Sequence, residues 1–193
     1  MFEIKKILQV ISYLLSLNNG KMNFLKLMKE LYLIDRESIA ERDTSITGDV
    51  YYSLPHGPVL SATKNLLDDL KSDDIDESNP LKDFLQFIKN PKYNRIYDIV
   101  LEKAPEYDLL SEKDKEYIEK ISKQFKNYSA KDIEQYTHRL PEWIDPNGSN
   151  VKIRFQDIMR ALGKSEEEIL IAKQEYEQIT NLNKYISETA RGF

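Results

Sequence analysis

A single carboxylate constrains the fold of this chain more than any other residue. Residues 23–42 are spaced as an amphipathic helix, and a projection at about 100° per residue places Asp35 in the middle of its apolar face. That face consists of Phe24, Leu27, Met28, Leu31, Ile34 and Ile39, and the polar face of Lys26, Lys29, Glu30, Arg36 and Glu37. Burial of a carboxylate is strongly unfavourable unless hydrogen bonds or an ion pair replace its hydration. We therefore expect another segment of the chain to reach Asp35.

The segment that follows this helix contains groups suited to that role. The nearest candidates are the hydroxyls of Tyr51 and Tyr52, the imidazole of His56 and the backbone N–H groups of residues 48–57. Pro55 and Pro58 restrict their own φ angles, and Pro58 favours extended geometry at Gly57, so this loop is predicted to be stiff. The predicted structural anchors are Asp35, Gly48, Asp49 and Pro58.

Composition and charge are typical of a soluble globular protein. The chain has 193 residues, of which 40% are hydrophobic and 32% charged, and it contains no cysteine. Its net charge of −5 argues against phosphate-backbone binding as its main role, because such binding needs a basic face. The apolar run over residues 7–17 is too short to span a bilayer. We predict a cytoplasmic protein with no direct nucleic-acid or membrane partner. The length favours a single domain over residues 1–193, with a core over about 4–145 and helices over 150–190 packed on it.

Hydrophobic spacing and capping residues predict a mainly α fold, a single compact helical domain with one small antiparallel sheet. Helices are predicted over residues 4–17, 23–42, 58–70, 80–88, 111–128, 130–138, 155–162 and from 165 towards the C-terminus. Strands are predicted over residues 49–54 and 93–103, and we expect these two to pair. The last helix is long and carries an apolar stripe that should dock on the domain or bind another protein. The stripe consists of Ile169, Ala172, Tyr176, Ile179, Leu182 and Ile186.

The sequence predicts neither a metal site nor a complete catalytic set. His56 and His138 are the only histidines, and neither stands in a spacing typical of zinc ligands. No glycine-rich phosphate-binding motif occurs. A hydrolase that uses Asp35, His56 and His138 is an alternative, provided that the fold brings the three side chains together. A structural role for the acid is the more common outcome, and no cofactor is expected.

Aromatic residues beside the proline loops are candidates for binding a partner protein, because aromatic side chains often anchor interfaces. The candidate partner-binding residues are Tyr51, Tyr52, Pro55, His56, Gly57, His138 and Trp143. The alternative is that the aromatic residues only seal the contact between the sheet and the helices. Composition and spacing do not decide between these two roles.

Three blocks of the sequence resemble the Panacea domain family, the SocA-like antitoxin domain that also occurs in phage-associated GepA-type proteins. The first block is Lys26-Leu27-Met28, Leu31-Tyr32 and Asp35-Arg36-Glu37. The second is Thr47-Gly48-Asp49, Tyr51 and Leu54-Pro55-His56-Gly57-Pro58-Val59. The third is Tyr136-Thr137-His138 and Pro141-Glu142-Trp143. The resemblance covers residues 4–143 in order and spacing, and it leads us to expect an aromatic residue at the position of His56.

The resemblance implies a mostly helical domain with a small sheet and with no cofactor or established catalytic residue. Its implied function is that of an antitoxin in a bacterial or prophage toxin–antitoxin system, which neutralises a cognate toxin by direct binding. An alternative is a proteolytic adaptor that delivers its partner to a cytoplasmic protease, with the C-terminal helix or the tail Ala190-Arg191-Gly192-Phe193 as the contact. A homodimer is left open.

Overall fold

The protein has a mainly α architecture with small antiparallel sheets, which confirms the predicted fold class. The computed structural model describes residues 3–69, 84, 86–89 and 98–190. The helices in these ranges are α1 (Ile4–Leu17), α2 (Phe24–Arg42), α3 (Ser61–Asp69), α4 (Glu112–Gln124), α5 (Ala130–Thr137), α6 (Phe155–Ala161) and α7 (Glu166–Ala190). The strands are β1 (Lys21–Asn23), β2 (Tyr51–Leu54), β3 (Gly57–Leu60), β4 (Ile88–Lys89), β5 (Asp98–Leu101) and β6 (Val151–Ile153).

Helix α2 is the centre of the structure, and it packs against α4, α5, α6, β1, β3 and β5. It begins where the side-chain oxygen of Asn23 accepts hydrogen bonds from the first free N–H groups of the helix. It ends at Asp43, which is left-handed with a φ of 55°. Because other elements pack on both sides of α2, Lys29 and Glu30 are fully buried. The helical projection placed both residues on the polar face of α2 and did not indicate that this face is covered.

The strands form two antiparallel sheets of three strands each, with the orders β1-β5-β4 and β3-β2-β6. In the second sheet Tyr51 of β2 lies opposite Leu60 of β3 on one side and Ile153 of β6 on the other. β2 and β3 form a hairpin, and Pro55 and His56 are the two residues of its turn. β3 packs on α2 and α5, so the turn lies beside the C-terminal part of α5.

Two predicted features of the sheets differ from the structure. The predicted second strand forms as β5, but it pairs with β1 and β4 and not with β2. Residues 57–60, predicted as a loop and the start of a helix, form β3, and the helix begins at Ser61. Strands β1, β4 and β6 have two or three residues each, which is too few for the alternation of polar and apolar residues to predict them.

The remaining helices lie close to their predicted bounds because side-chain caps fix their first turns. Ser111 and Asp114 form a reciprocal capping box at the start of α4, and Ser129 and Asp132 form one at the start of α5. The Ser165 side chain accepts a hydrogen bond from the N–H of Glu168 at the start of α7. Leu70 and most of the helix predicted over residues 80–88 lie outside the described residues, and Ile88 belongs to β4.

Helix α7 packs on the rest of the structure through its first turns. Ile169 and Ala172 are buried, whereas Tyr176, the next residue of the predicted stripe, is 54% exposed. The side chains of Ile179, Leu182 and Ile186 lie outside the described part of the structure. Among the described helices, α7 included, none combines the length and the apolar character that crossing a membrane requires.

Candidate protein-binding surface

Asp35 is fully buried on α2 and holds the segment between α2 and β2. Its Oδ1 accepts hydrogen bonds from the backbone N–H groups of Ile46 (2.9 Å) and Thr47 (3.0 Å). Its Oδ2 accepts one from the Tyr51 hydroxyl (2.9 Å) and one from the Thr47 hydroxyl. Burial raises the pKa of Asp35 to about 6, although these four hydrogen bonds favour the ionised form. Asp35 therefore connects α2 to the start of the hairpin. Of the three candidate side chains, only Tyr51 bonds to it, and Tyr52 and His56 are not among its partners.

Asp49 makes a second connection, from the same segment to α3. Its Oδ1 accepts from the N–H of Ala62 (2.9 Å), and its Oδ2 accepts from the N–H and the hydroxyl of Thr63 (2.8 and 2.7 Å). A carboxylate is favourable at this point because the first N–H groups of a helix have no partner within the helix. Gly48 has a φ of 64°, which lets the chain turn between Thr47, bound to Asp35, and Asp49.

The hairpin turn meets α5 and the segment that follows it. Nδ1 of His56 lies 2.7 Å from Oε1 of Glu134 on α5. The indole N–H of Trp143 donates to the carbonyl oxygen of Leu54 over 3.3 Å. The same indole stacks on the imidazole of His138, with ring centroids 4.2 Å apart and an angle of 17° between the ring planes. These contacts bring together the two segments that the sequence singles out as candidates for recognition.

We call the exposed part of this contact the hairpin–Trp143 surface and define it by Pro55, His56, Glu134, His138 and Trp143. The His56 side chain is 76% exposed, and Pro55 is exposed as well. Glu134, His138 and Trp143 are half-buried, so each has one side fixed by the protein and one open to solvent. Four of the predicted partner-binding residues thus lie side by side, while Tyr52 is half-buried on β2.

Tyr51 and Gly57 are buried and do not belong to that surface. Tyr51 is 4% exposed, and its hydroxyl is occupied by Asp35. Gly57 is covered by the residues at the end of α5. This corrects the prediction that the two residues contact a partner themselves. Both residues help to fix the position of the hairpin on α2 and α5.

The backbone at Gly57 passes so close to its neighbours that only glycine fits. A Cβ atom at this position would lie 2.9 Å from Oγ1 of Thr137, 3.0 Å from Nζ of Lys29 and 3.1 Å from Cδ2 of His138. Gly57 also has a φ of 96°, a left-handed value that side chains oppose. The extended geometry predicted from Pro58 is therefore wrong, because the turn has to bend over Lys29.

Lys29 lies beneath the hairpin turn as a fully buried amine. Its Nζ donates a hydrogen bond to the carbonyl oxygen of Pro58 over 2.8 Å. Burial lowers the pKa of Lys29 to about 7, and the negative charge of Glu134 acts in the opposite direction. Burial also lowers the pKa of His138, whose Nε2 is buried without a hydrogen-bond partner. The floor of the hairpin–Trp143 surface is therefore polar, and the positive charge of Lys29 is lost as the pH rises through about 7.

Glu30, the neighbour of Lys29, is a second buried ionisable group on α2. Its carboxylate lies 3.7 Å from Nζ of Lys26, which is too far for a hydrogen bond. The amine of Lys26 instead donates to the carbonyl oxygens of Phe125 and Tyr128 after α4. Burial raises the pKa of Glu30 to about 7. The polar face of α2 therefore contacts the ends of other helices.

Glu142, the residue before Trp143, fixes this segment of the chain on α2. Composition and spacing gave no indication of this role. Its Oε1 accepts hydrogen bonds from the Tyr32 hydroxyl (2.9 Å) and from Nε of Arg36 (2.7 Å). Glu142 is 6% exposed, so the pair with Arg36 is largely desolvated. The contact ties the residue before Trp143 to α2. Glu134 was missed too, although its position four residues before His138 places both on one helix face.

The three residues of the hydrolase alternative do not form a catalytic set in the structure. Asp35 bonds to Ile46, Thr47 and Tyr51, and neither histidine is among its partners. The histidines lie near Lys29, which is six residues, or about 9 Å of helix, before Asp35. Within the described residues, no group of three or more histidine, aspartate or glutamate side chains is arranged to hold a metal ion.

The sequence matches one family model, described as "Antitoxin SocA-like, Panacea domain", over residues 27–144. No curated protein and no solved structure matches the chain. The matched region begins in α2 and ends just after Trp143, so it contains Asp35, the hairpin and the hairpin–Trp143 surface. It leaves out α1, β1, β6, α6 and α7. Because the match covers more than half of the chain and includes the residues that build this surface, the chain belongs to the Panacea family of SocA-like antitoxin domains.

Proposed function

We propose that this protein is a cytoplasmic antitoxin that neutralises a cognate toxin by binding it directly through the hairpin–Trp143 surface. Membership of the Panacea family supports the antitoxin part of this proposal. The placement of the contact rests on one observation. Trp143 is held by His138 and by the carbonyl oxygen of Leu54, yet part of its side chain remains open to solvent.

A partly exposed tryptophan with a fixed orientation is well suited to anchor a protein interface. Large aromatic side chains contribute much of the binding free energy at interfaces. A side chain that is ordered before binding loses less conformational entropy when the partner arrives. The stacking on His138 and the indole hydrogen bond supply that order here.

The layer beneath the surface supports the same role, because it fixes the hairpin in the absence of a partner. Lys29 bonds to Pro58, Gly57 packs against Thr137, and Glu142 holds the chain before Trp143. These contacts involve buried polar groups, which are costly to expose or rearrange without partners. We expect the surface to have nearly the same shape in the free and the bound protein.

The proposal is tested by co-expression with the protein encoded by the neighbouring gene, scoring growth and then co-purification. Wild type should restore growth and form a stable complex. Trp143→Ala and His56→Ala should weaken the complex, whereas Leu17→Ala should not. Leu17 is a suitable control because it is an apolar side chain, 41% exposed, at the end of α1. If all three variants bind like wild type and remain folded, the surface is not the contact.

The proteolytic adaptor is the second candidate, and the exposure of α7 favours it. All described side chains from Lys173 to Gln178 are exposed, so this part of the helix is available to another protein. Deletion of the residues after Glu188 separates the two functions. A direct neutraliser should keep both rescue and complex after the deletion. An adaptor should lose rescue, and with the full chain its partner should disappear only while the protease is active.

A further inference from the structure

The apolar stripe of α7 continues beyond the point where other elements cover it. Ile169 and Ala172 are 4% and 5% exposed, and Tyr176, at the next position of the stripe, is 54% exposed. An amphipathic helix normally buries its apolar stripe along its length. In the described structure no other element covers Tyr176, so the apolar stripe is exposed to solvent at this position after Ala172.

Tyr176 lines one side of a cleft of about 500 Å³ between α7 and the segment that joins α2 to β2. Val50, which is 47% exposed, belongs to the lining of this cleft, as does Phe155 of α6. The volume is in the range of sites that bind ligands or side chains of a partner, roughly 300–1,000 Å³. The cleft therefore presents apolar side chains around a space large enough for two or three residues.

The wall that carries Val50 is rigid because buried carboxylates hold it. Asp35 binds the backbone at Ile46 and Thr47, and Asp49 binds the N–H of Val50 (2.6 Å) and the start of α3. A wall that is fixed in advance loses little entropy when a partner packs against it. The wall of the cleft that lies within the family-matched region therefore has its shape before a partner binds.

The charges around the cleft indicate what kind of segment fits it. On the wall opposite α7, Arg42 is paired with Asp114 and Arg154 with Asp157. Asp43, Asp49, Lys173 and Glu177 of the lining are also bonded within the protein. Lys152 and, on α7, Glu175 line the cleft as well, and neither forms an ion pair with any described residue. A bound segment with an acidic residue beside Lys152 and a basic residue beside Glu175 would therefore pair both charges, at little desolvation cost.

We propose that this cleft binds a short segment of the toxin, with apolar side chains between Tyr176 and Val50, an acidic residue next to Lys152 and a basic residue next to Glu175. This inference rests on the proposed function, because it assumes that the partner is a toxin. The lining of the cleft shares no residue with the hairpin–Trp143 surface. Its α7 side lies after residue 144, outside the family match, so it adds a contact that the family segment alone does not supply.

The test compares the affinity of purified variants for the protein encoded by the neighbouring gene. Tyr176→Glu should raise the Kd by about tenfold or more, since a charge replaces an apolar anchor. Leu170→Glu is the matched control, because Leu170 is 55% exposed on the same helix but does not line the cleft. Its Kd should equal that of wild type. Val50→Glu, on the opposite wall, should act like Tyr176→Glu, and all three variants should melt like wild type.

The outcomes separate this inference from the proposed function. If Tyr176→Glu and Val50→Glu bind like wild type while Trp143→Ala binds weakly, the cleft is not a contact and the antitoxin proposal stands. If Leu170→Glu weakens binding as much as Tyr176→Glu, the helix acts through another face and the cleft proposal is overturned. If wild type does not bind at all, the proposed function fails and the cleft proposal fails with it.

Discussion

The indole N–H of Trp143 donates to the carbonyl oxygen of Leu54 over 3.3 Å, although 89 residues separate the two in the sequence. Leu54 is the last residue of β2, so this bond attaches Trp143 to the edge of the hairpin turn. Stacking on His138 fixes the other side of the indole. The hairpin and the segment after α5 therefore behave as one unit, and changes that loosen the hairpin should also affect Trp143.

Asp35→Asn should lower the free energy of unfolding by about 1–3 kcal/mol. The amide group accepts hydrogen bonds through one atom only, whereas the carboxylate serves two backbone N–H groups and two hydroxyls. Urea unfolding at pH 7.5, roughly the physiological value, measures the difference. Asp43→Asn is the control, because Asp43 is half-exposed and pairs with Lys164, and it should cost less than about 1 kcal/mol. A variant Asp35→Asn that unfolds like wild type but loses toxin binding would assign Asp35 a functional role instead.

Local patterns in the sequence were sufficient to predict that Asp35 is buried, but they did not predict the burial of Lys29 and Glu30. The helical projection finds an acid on an apolar face, and such an acid needs partners wherever they come from. The same projection shows that the opposite face is polar, but it does not show whether another element covers that face. In the structure α4 and α5 pack there, so Lys29 and Glu30 are buried. Whether a polar face is covered depends on contacts with residues about 100 positions later. The spacing of residues within the helix does not indicate such contacts.

The residues of the hairpin–Trp143 surface were predicted in part for a similar reason. Proline and aromatic content pointed to the turn at Pro55 and to Trp143, and the structure brings them together. The alternation of side chains along β2 turns Tyr51 inward to Asp35, and the sequence alone does not fix which face of a short strand is buried. β3 escaped prediction because Pro58 is uncommon within strands, and it is accommodated here at the edge of the sheet.

Gly57→Ala should destabilise the protein by about 2–4 kcal/mol. The added methyl group would approach Thr137 and Lys29 within about 3 Å, and the left-handed φ adds strain. Gly148→Ala is the matched control, because Gly148 has a φ of 83° but no atom within 4 Å of the added Cβ. It should cost only the backbone strain, about 1 kcal/mol. Equal losses in thermal or urea unfolding would show that the close packing over Lys29 is not a source of stability.

The stability of the protein should rise with pH between about 7 and 10 because of Lys29. Its pKa is lowered to about 7 in the folded protein, from 10.5. Within this window the unfolded chain holds a proton that the folded protein does not, so raising the pH favours folding by up to about 1.4 kcal/mol per pH unit. Below pH 7 both states are protonated, and this contribution to the slope disappears.

Lys29→Met isolates the contribution of that amine. Methionine has a similar length and does not titrate, so the variant should show a flatter dependence of unfolding free energy on pH between about 7.5 and 9.5. Lys5→Met, at an exposed position at the start of α1, should keep the slope of wild type. If Lys29→Met keeps that slope as well, the buried amine is protonated throughout and the hairpin rests on a charged floor.

Direct binding through the hairpin–Trp143 surface is tested most directly by one affinity measurement. The Kd for the protein encoded by the neighbouring gene is determined by calorimetry for wild type, Trp143→Ala and the control Leu17→Ala. We predict a tight wild-type complex, a Kd raised by about tenfold or more for Trp143→Ala, and no change for Leu17→Ala. A Trp143→Ala protein that is folded and binds the toxin as tightly as wild type would contradict this account.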